Sequence, residues 1–259
     1  KFEFRAVGAT ANCANPMTVL NAIVAQQLIA FKKEVDTLVD TKDMKKDDAI
    51  FNVLREYIKD SKKIRFEGDG YGDSWEKEAK KRKLSNNRTT VEALKARVSK
   101  ASVALFDSLQ IMNTVEIQAR YEIELEEYVK RIQIESRVLG DVARNHIIPT
   151  ALRYQNVLID NVRGLKDIYG DDYTAFAKAQ TTIIKSLSNH IASINTLITE
   201  MIDVRKKSNG LELEKKAGDY ADKVKPYFEL IRKQCDKLEL LVEDDLWPLP
   251  KYRELLFVN

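Results

Sequence analysis

Glu3 and Arg5 stand two residues apart in the opening run Lys1-Phe2-Glu3-Phe4-Arg5, where apolar and charged side chains alternate. Successive side chains of an extended strand point to opposite faces. The spacing therefore predicts a strand with Phe2 and Phe4 on one face and a carboxylate beside a guanidinium on the other, an arrangement that reads as one edge of an active site. Alone, a Glu-x-Arg pair says little, because surface strands carry such pairs often. The run opens with no Met, leader or cap before it, so the chain reads as a piece of a longer protein.

Other positions that invite chemistry have plainer readings. Glu122, Glu124, Glu126 and Glu127, with Glu135 further on, form an acidic cluster. A di-iron bundle needs Glu-x-x-His pairs on facing helices. The two histidines, His146 and His190, are preceded three residues earlier by Ala143 and Leu187. The cluster is read as a solvated helix face, with Lys130 and Arg131 as i,i+4 partners of Glu126 and Glu127. Phe66-Glu67-Gly68-Asp69-Gly70-Tyr71-Gly72-Asp73-Ser74-Trp75 lacks the Lys-Ser/Thr of a phosphate loop and the spacing of an EF-hand; it is read as a structural turn. His146, beside Pro149, is expected to be packed. Cys13 and Cys235 form no motif and are expected to be reduced thiols.

The elements that must position these residues are mostly helices. Asn15-Pro16 signals a helix start, and Met17 to about Leu38 places Val19, Leu20, Ile23, Val24, Leu28 and Phe31 on a wide stripe predicted to be buried. Shorter helices are expected over Ala49–Ile58, Trp75–Lys83 and Thr90 to about Leu109. Three long ones follow: Val115 to about Ile147, with a kink or break at Pro149 and resumption to about Tyr169; Thr174–Lys207, stopped by Asn209-Gly210; and Leu213 to about Glu243. The Trp247-Pro248-Leu249-Pro250 tail is expected to pack against them. The fold class predicted is mainly α: a bundle of long antiparallel helices, preceded by one terminal strand and helix. Charged residues make up 32% of the chain, yet the net charge is only +3 and the signs are interspersed. No strong field points to nucleic acid or an anionic membrane, and no apolar run approaches the ~20 residues that span a bilayer.

Beyond the strand, Phe2-Glu3-Phe4-Arg5-Ala6-Val7-Gly8 and Asn12-Cys13-Ala14-Asn15-Pro16-Met17-Thr18-Val19-Leu20-Asn21 continue in a characteristic order. So do Phe66–Tyr71, Ala119–Glu126, Gln133–Arg137, Asn145–Pro149 and Trp247–Arg253. Together these segments resemble the C-terminal region of type III glutamine synthetases, and the resemblance covers nearly the whole chain.

That resemblance implies an ATP-dependent glutamate–ammonia ligase working through a γ-glutamyl phosphate. It implies magnesium or manganese and ATP in the complete enzyme, none of them stably held by this chain alone. Glu3 matches the strand glutamate that binds the metal associated with the ATP phosphates. Arg5 matches the arginine that contacts glutamate and the acyl phosphate. Residues 1–41 would close the truncated α+β catalytic domain, and residues 42–259 would form a C-terminal helical domain. The family's remaining metal ligands and nucleotide contacts have no counterpart here, so the chain alone is expected to be inactive and its helical part to serve structure or assembly. The implied setting is cytoplasmic: a double-ring homo-oligomer acting on glutamate, ammonia and ATP, with neither nucleic acid nor membrane as partner. The alternative is a self-contained helical interaction module in which Glu3 and Arg5 are a fortuitous surface pair.

Overall fold

The computed structural model describes residues 12–256, apart from the side chains of Tyr252 and Arg253. The strand expected at Lys1–Arg5 lies outside the described residues. Every regular element among the described residues is helical, in keeping with the mainly α class. The chain divides into two compact units: one holds residues 12–88 and 92–121, the other 122–256 with 89–91.

The first unit opens with α1, Ala14–Lys42. The cap is not Asn15, as the Asn-Pro pair suggested. Asn12 Oδ1 accepts the Ala14 N–H at 2.8 Å, and Asn15 already lies in the first turn. The helix ends where Asp43 turns left-handed at φ 46° and returns its N–H to the Leu38 carbonyl. α2, Lys46–Asp60, packs back on α1 through Val35, Ala49 and Val53. The Phe31 and Tyr57 rings meet edge to face at 5.9 Å.

A second small core joins Ala22 of α1 to Phe106 and Ile117. After α3 (Asp73–Lys81), the single helix expected from Thr90 to Leu109 is two, α4 (Thr90–Arg97) and α5 (Lys100–Ser108). The break comes where Ser99 adopts an extended conformation and its hydroxyl caps the Ser102 N–H at 3.2 Å. The stripe predicted to be buried on α1 is corrected as well. Val19, Ile23, Val24 and Leu28 are exposed, Leu28 by 62%, and the residues α1 buries are Ala22 and Val35. The partners of α1 are the short α2 and α5, so they cover only part of a helix that is apolar on more than one face.

The second unit is built from three long helical paths, the first of which begins in the first unit and enters the second after Tyr121. α6 (Thr114–Val142) starts on a reciprocal capping box: Asn113 Oδ1 accepts from the Glu116 N–H, and Glu116 Oε2 accepts from the Asn113 N–H. It runs without a break through a π turn, Ala143–Ile147, into α7 (Ile148–Tyr169). After Gly170, at φ 55°, and the short α8 (Tyr173–Phe176), α9 spans Lys178–Asn209. α10 (Leu213–Asp219), a second π turn (Tyr220–Val224) and α11 (Pro226–Leu241) form the third path.

Side-chain pairs fix the direction of these paths. Arg205–Ser136, Arg144–Thr199, Gln155–Ser188 and Gln180–Asn161 step in opposite senses along α6–α7 and α9. Tyr220–Asn209 and His190–Gln234 do the same for α9 against the third path. The long helices are thus antiparallel neighbours, as expected, around Leu187, Ile194, Ile198, Met201, Tyr220, Ile231 and Leu238, all of them fully buried.

The helical path is not broken at Pro149; the irregularity expected there takes the form of the π turn just before it. Proline lacks an N–H, and its ring strikes the carbonyl four residues back. The π turn widens the coil to accommodate it, and the last N–H before the proline, that of Ile148, bonds the Ala143 carbonyl five residues back. Pro226 has the same solution, with the Lys225 N–H on the Tyr220 carbonyl at 3.0 Å. The tail packs as expected: Lys251 Nζ donates to the Glu239 carbonyl at 3.0 Å and lies 5.9 Å from the centre of the Trp247 ring.

Candidate functional site

Glu3 and Arg5 lie outside the described residues. The structure does describe the junction that follows them. α1 starts at Ala14, whose N–H Asn12 Oδ1 accepts, and Pro16 sits in the first turn, where its missing N–H has no intrahelical partner to lose. Arg97, at the end of α4, reaches Asn15 Oδ1 at 3.4 Å. Thus a residue 82 positions away in sequence tethers the start of the helix that leads out of the Glu-x-Arg segment. Nothing in the local pattern around Arg97 marks it for that task.

The Gly-rich segment is a folded knot. The Phe66 and Trp75 rings lie 4.3 Å apart. A Cβ on Gly68 would come within 2.8 Å of the Phe66 ring, so any larger residue there would push that ring off its present place against Trp75. Asp69 is occupied by the turn itself, accepting the Tyr71 N–H at 2.9 Å. Arg82 ties the knot down. Its guanidinium donates to Glu78 Oε1 (2.7 Å), the Arg65 carbonyl (2.7 Å) and the Lys63 carbonyl (3.2 Å), and lies about 6 Å from both rings. Asp69, Phe66 and Trp75 are thus engaged within the segment or with Arg82, in keeping with the structural-turn reading.

The acidic cluster is dispersed over solvent. Glu122, Glu126 and Glu127 are exposed, and among the described residues Lys130 and Arg131 close no ion pair with Glu126 or Glu127. His146, expected to be packed, is exposed in the π turn, because the widened coil buries Ala143 and Ile147 instead. His190 is the partly buried histidine; its Nδ1 lies 2.8 Å from Gln234 Oε1 and so donates to it. Among the described residues no three His, Cys, Asp or Glu side chains converge as a metal site.

Both cysteines are free. Cys13 is exposed, whereas Cys235 is buried in α11 and its thiol is pushed up to about 11 by that burial, with Asp236 adding to the effect. At pH 8 about one Cys235 in a thousand would be thiolate. Alkylation with iodoacetamide at pH 8 is therefore expected to modify Cys13 and spare Cys235 until denaturant is added, as read by intact mass. Equal labelling of both in the native chain would contradict the burial of Cys235.

Reasoning from sequence also missed a cluster of arginines. Arg137, Arg144 and Arg205 line one groove with Ser136, Gly140 and Asp141. The seven-residue spacing of Arg137 and Arg144 puts them on nearly one helix face, a signal legible in the sequence. Arg205 joins them only through the register of α9.

Residues 49–166, from α2 into α7, match the family described as the glutamine synthetase C-terminal domain. The chain carries a glutamine synthetase C-terminal domain. The knot around Phe66, Trp75 and Arg82 falls inside that domain, as do the capping box at Asn113 and the first π turn. Over its whole length the chain is 44% identical to a glutamine synthetase of Bacteroides fragilis and 31% identical to a type-3 glutamine synthetase of Dictyostelium discoideum, covering 36% and 35% of those proteins. A glutamine synthetase of Butyrivibrio fibrisolvens is 29% identical over 93% of the chain. The chain therefore spans about a third of the length of the curated relatives it matches. The resemblance to glutamine synthetases read from the sequence motifs is borne out.

Proposed function

We propose that this chain works as the C-terminal part of a type III glutamine synthetase. In the complete enzyme, glutamate, ammonia and ATP yield glutamine by way of a γ-glutamyl phosphate. The observation that carries this reading is the 44% identity to a glutamine synthetase along the entire chain. The likeness to a type-3 enzyme supports the class.

In this reading Glu3 supplies one carboxylate oxygen to a magnesium or manganese ion, whose chemistry is to neutralise phosphate charge during transfer. One carboxylate does not hold such an ion, so its other ligands belong to the rest of the enzyme. Arg5 presents a permanently charged fork that fits two oxygens of a carboxylate or an acyl phosphate. Residues 1–41 complete the catalytic domain. Residues 42–259 form a helical domain that serves assembly of a double-ring homo-oligomer in the cytoplasm. No described helix is long and apolar enough to cross a membrane.

Two measurements test the reading. The purified 259-residue chain, verified by intact mass, is expected to form no glutamine from glutamate, ammonia and ATP; measurable turnover would overturn the assignment of the missing chemistry to the rest of the enzyme. Deletion of residues 42–259 from the complete enzyme is expected to abolish ring assembly in light scattering. A deletion product that still forms rings would remove the assembly role and leave the ligase assignment standing.

A further inference from the structure

The groove between α6 and α9 in the second unit is positively charged beyond what its own residues balance. It has a volume of about 270 Å³. Arg205 is half-buried and donates to Ser136 Oγ at 2.9 Å; that hydroxyl is itself buried and committed to the Gln133 carbonyl at 2.8 Å. Arg144 donates to Thr199 Oγ1 at 3.0 Å. Arg137 makes no hydrogen bond or ion pair among the described residues. Each guanidinium carries five N–H donors, so most of them face the groove or solvent unused. Asp141 is the one carboxylate on the groove wall, and it already accepts from Asn145 Nδ2. Burial, with the Arg137 charge beside it, holds the Arg205 guanidinium below the usual arginine range. Among the described residues Arg205 is thus a partly desolvated cation that closes no ion pair.

The helices hold this arrangement rigidly. Gly140, on the groove wall, packs against Ile198 and Met201 of α9, where even an added Cβ would meet Ile198 at an ordinary contact distance of 3.5 Å. The π turn begins at Ala143, so Arg144 and Asn145 project from a widened coil, a feature that often marks functional positions.

We propose that this groove is a binding site for a dianionic oxyanion, the phosphate group of a small metabolite. Three guanidinium charges against one carboxylate leave two positive charges. A phosphate monoester carries about −1.5 to −2 near neutral pH, and arginine forks suit its oxygens. The groove has room for a phosphoryl group and a small organic remainder. The inference rests on the helical unit alone and stands apart from the ligase assignment.

The test is calorimetric binding of inorganic phosphate to the 259-residue chain, at constant ionic strength and pH 7.5, with succinate as a second ligand. One phosphate is expected to bind saturably, and more tightly than succinate. Arg137→Gln with Arg144→Gln, both exposed, is expected to weaken binding by about tenfold or more without moving the thermal midpoint of the ligand-free chain. Arg163→Gln, which removes a surface partner of Asp160, leaves binding unchanged. Non-saturable binding, succinate binding more tightly than phosphate, or equal affinity in the double variant would each overturn the proposal.

Discussion

In the complete enzyme, Glu3→Gln is expected to lower kcat for glutamine formation by roughly a thousandfold. The substitution keeps the size of the side chain and removes its charge, so the alternation of apolar and polar residues in Phe2-Glu3-Phe4-Arg5 is kept. In the reading proposed for Glu3, what goes is one anionic oxygen ligand to a hard divalent ion. Metal assistance contributes several kcal/mol of transition-state stabilisation, and each 1.36 kcal/mol is a factor of ten in rate. The half-saturating magnesium concentration should rise as well, since a neutral amide oxygen is the poorer ligand. Steady-state assays across a magnesium series decide the matter. A variant within a few-fold of wild type at every metal concentration would remove Glu3 from the metal site.

The second large effect is on stability. Tyr220 is fully buried where the π turn of the third path meets α9, and its hydroxyl donates to Asn209 Oδ1 at 2.7 Å. Burial pushes the phenol up, while Arg205 and Arg137 nearby pull it the other way. Tyr220→Ala would leave a cavity the size of an aromatic ring in the buried interior, at a cost of about 4 kcal/mol. For a unit of this size that corresponds to a drop of roughly 10 °C in Tm. Tyr220→Phe keeps the ring and loses one hydrogen bond. Asn209 is exposed and turns to water instead, so the cost falls to about 1 kcal/mol. Melting curves of the two variants by circular dichroism should be well separated. Coincident curves would show that the ring contributes little to the core.

Much of the helical framework is legible from periodicity. Ile117, Tyr121, Leu125 and Ile132 recur at helical spacing and are all buried, because a helix packed along one side must repeat its apolar residues every three or four positions. The same reasoning failed on α1, where Val24 and Leu28 follow the rule and stay exposed. Periodicity reports which face is apolar, and coverage depends on what lies opposite. Asn15 looked like a cap, but the cap position falls on Cys13, which makes no side-chain cap, and Asn12 instead accepts the Ala14 N–H from outside the helix, since capping is set by backbone conformation as well as residue type. Arg205 shows the deeper limit. Its place beside Arg137 depends on how α9 slides along α6, and that register is set by Gly140, Ile198 and Met201 packing together rather than by any local motif. Glu3 and Arg5 were legible as a motif alone.

Both prolines inside the long paths are absorbed by one extra residue per turn, and this fixes the phase of each helix. Each residue advances the helix by about 100°. Around the first π turn the buried side widens from a single row to Ile147, Ile148, Thr150 and Ala151. α6 and α7 are therefore two cylinders joined with a rotational offset, each aimed at its own neighbours. Deleting a single residue between Ala143 and Ile147 would swing α7 by about a quarter-turn relative to α6 and carry Thr150 and Ala151 away from the core. Chain length in this segment is thus as constrained as residue identity, and the same holds for the turn that precedes Pro226.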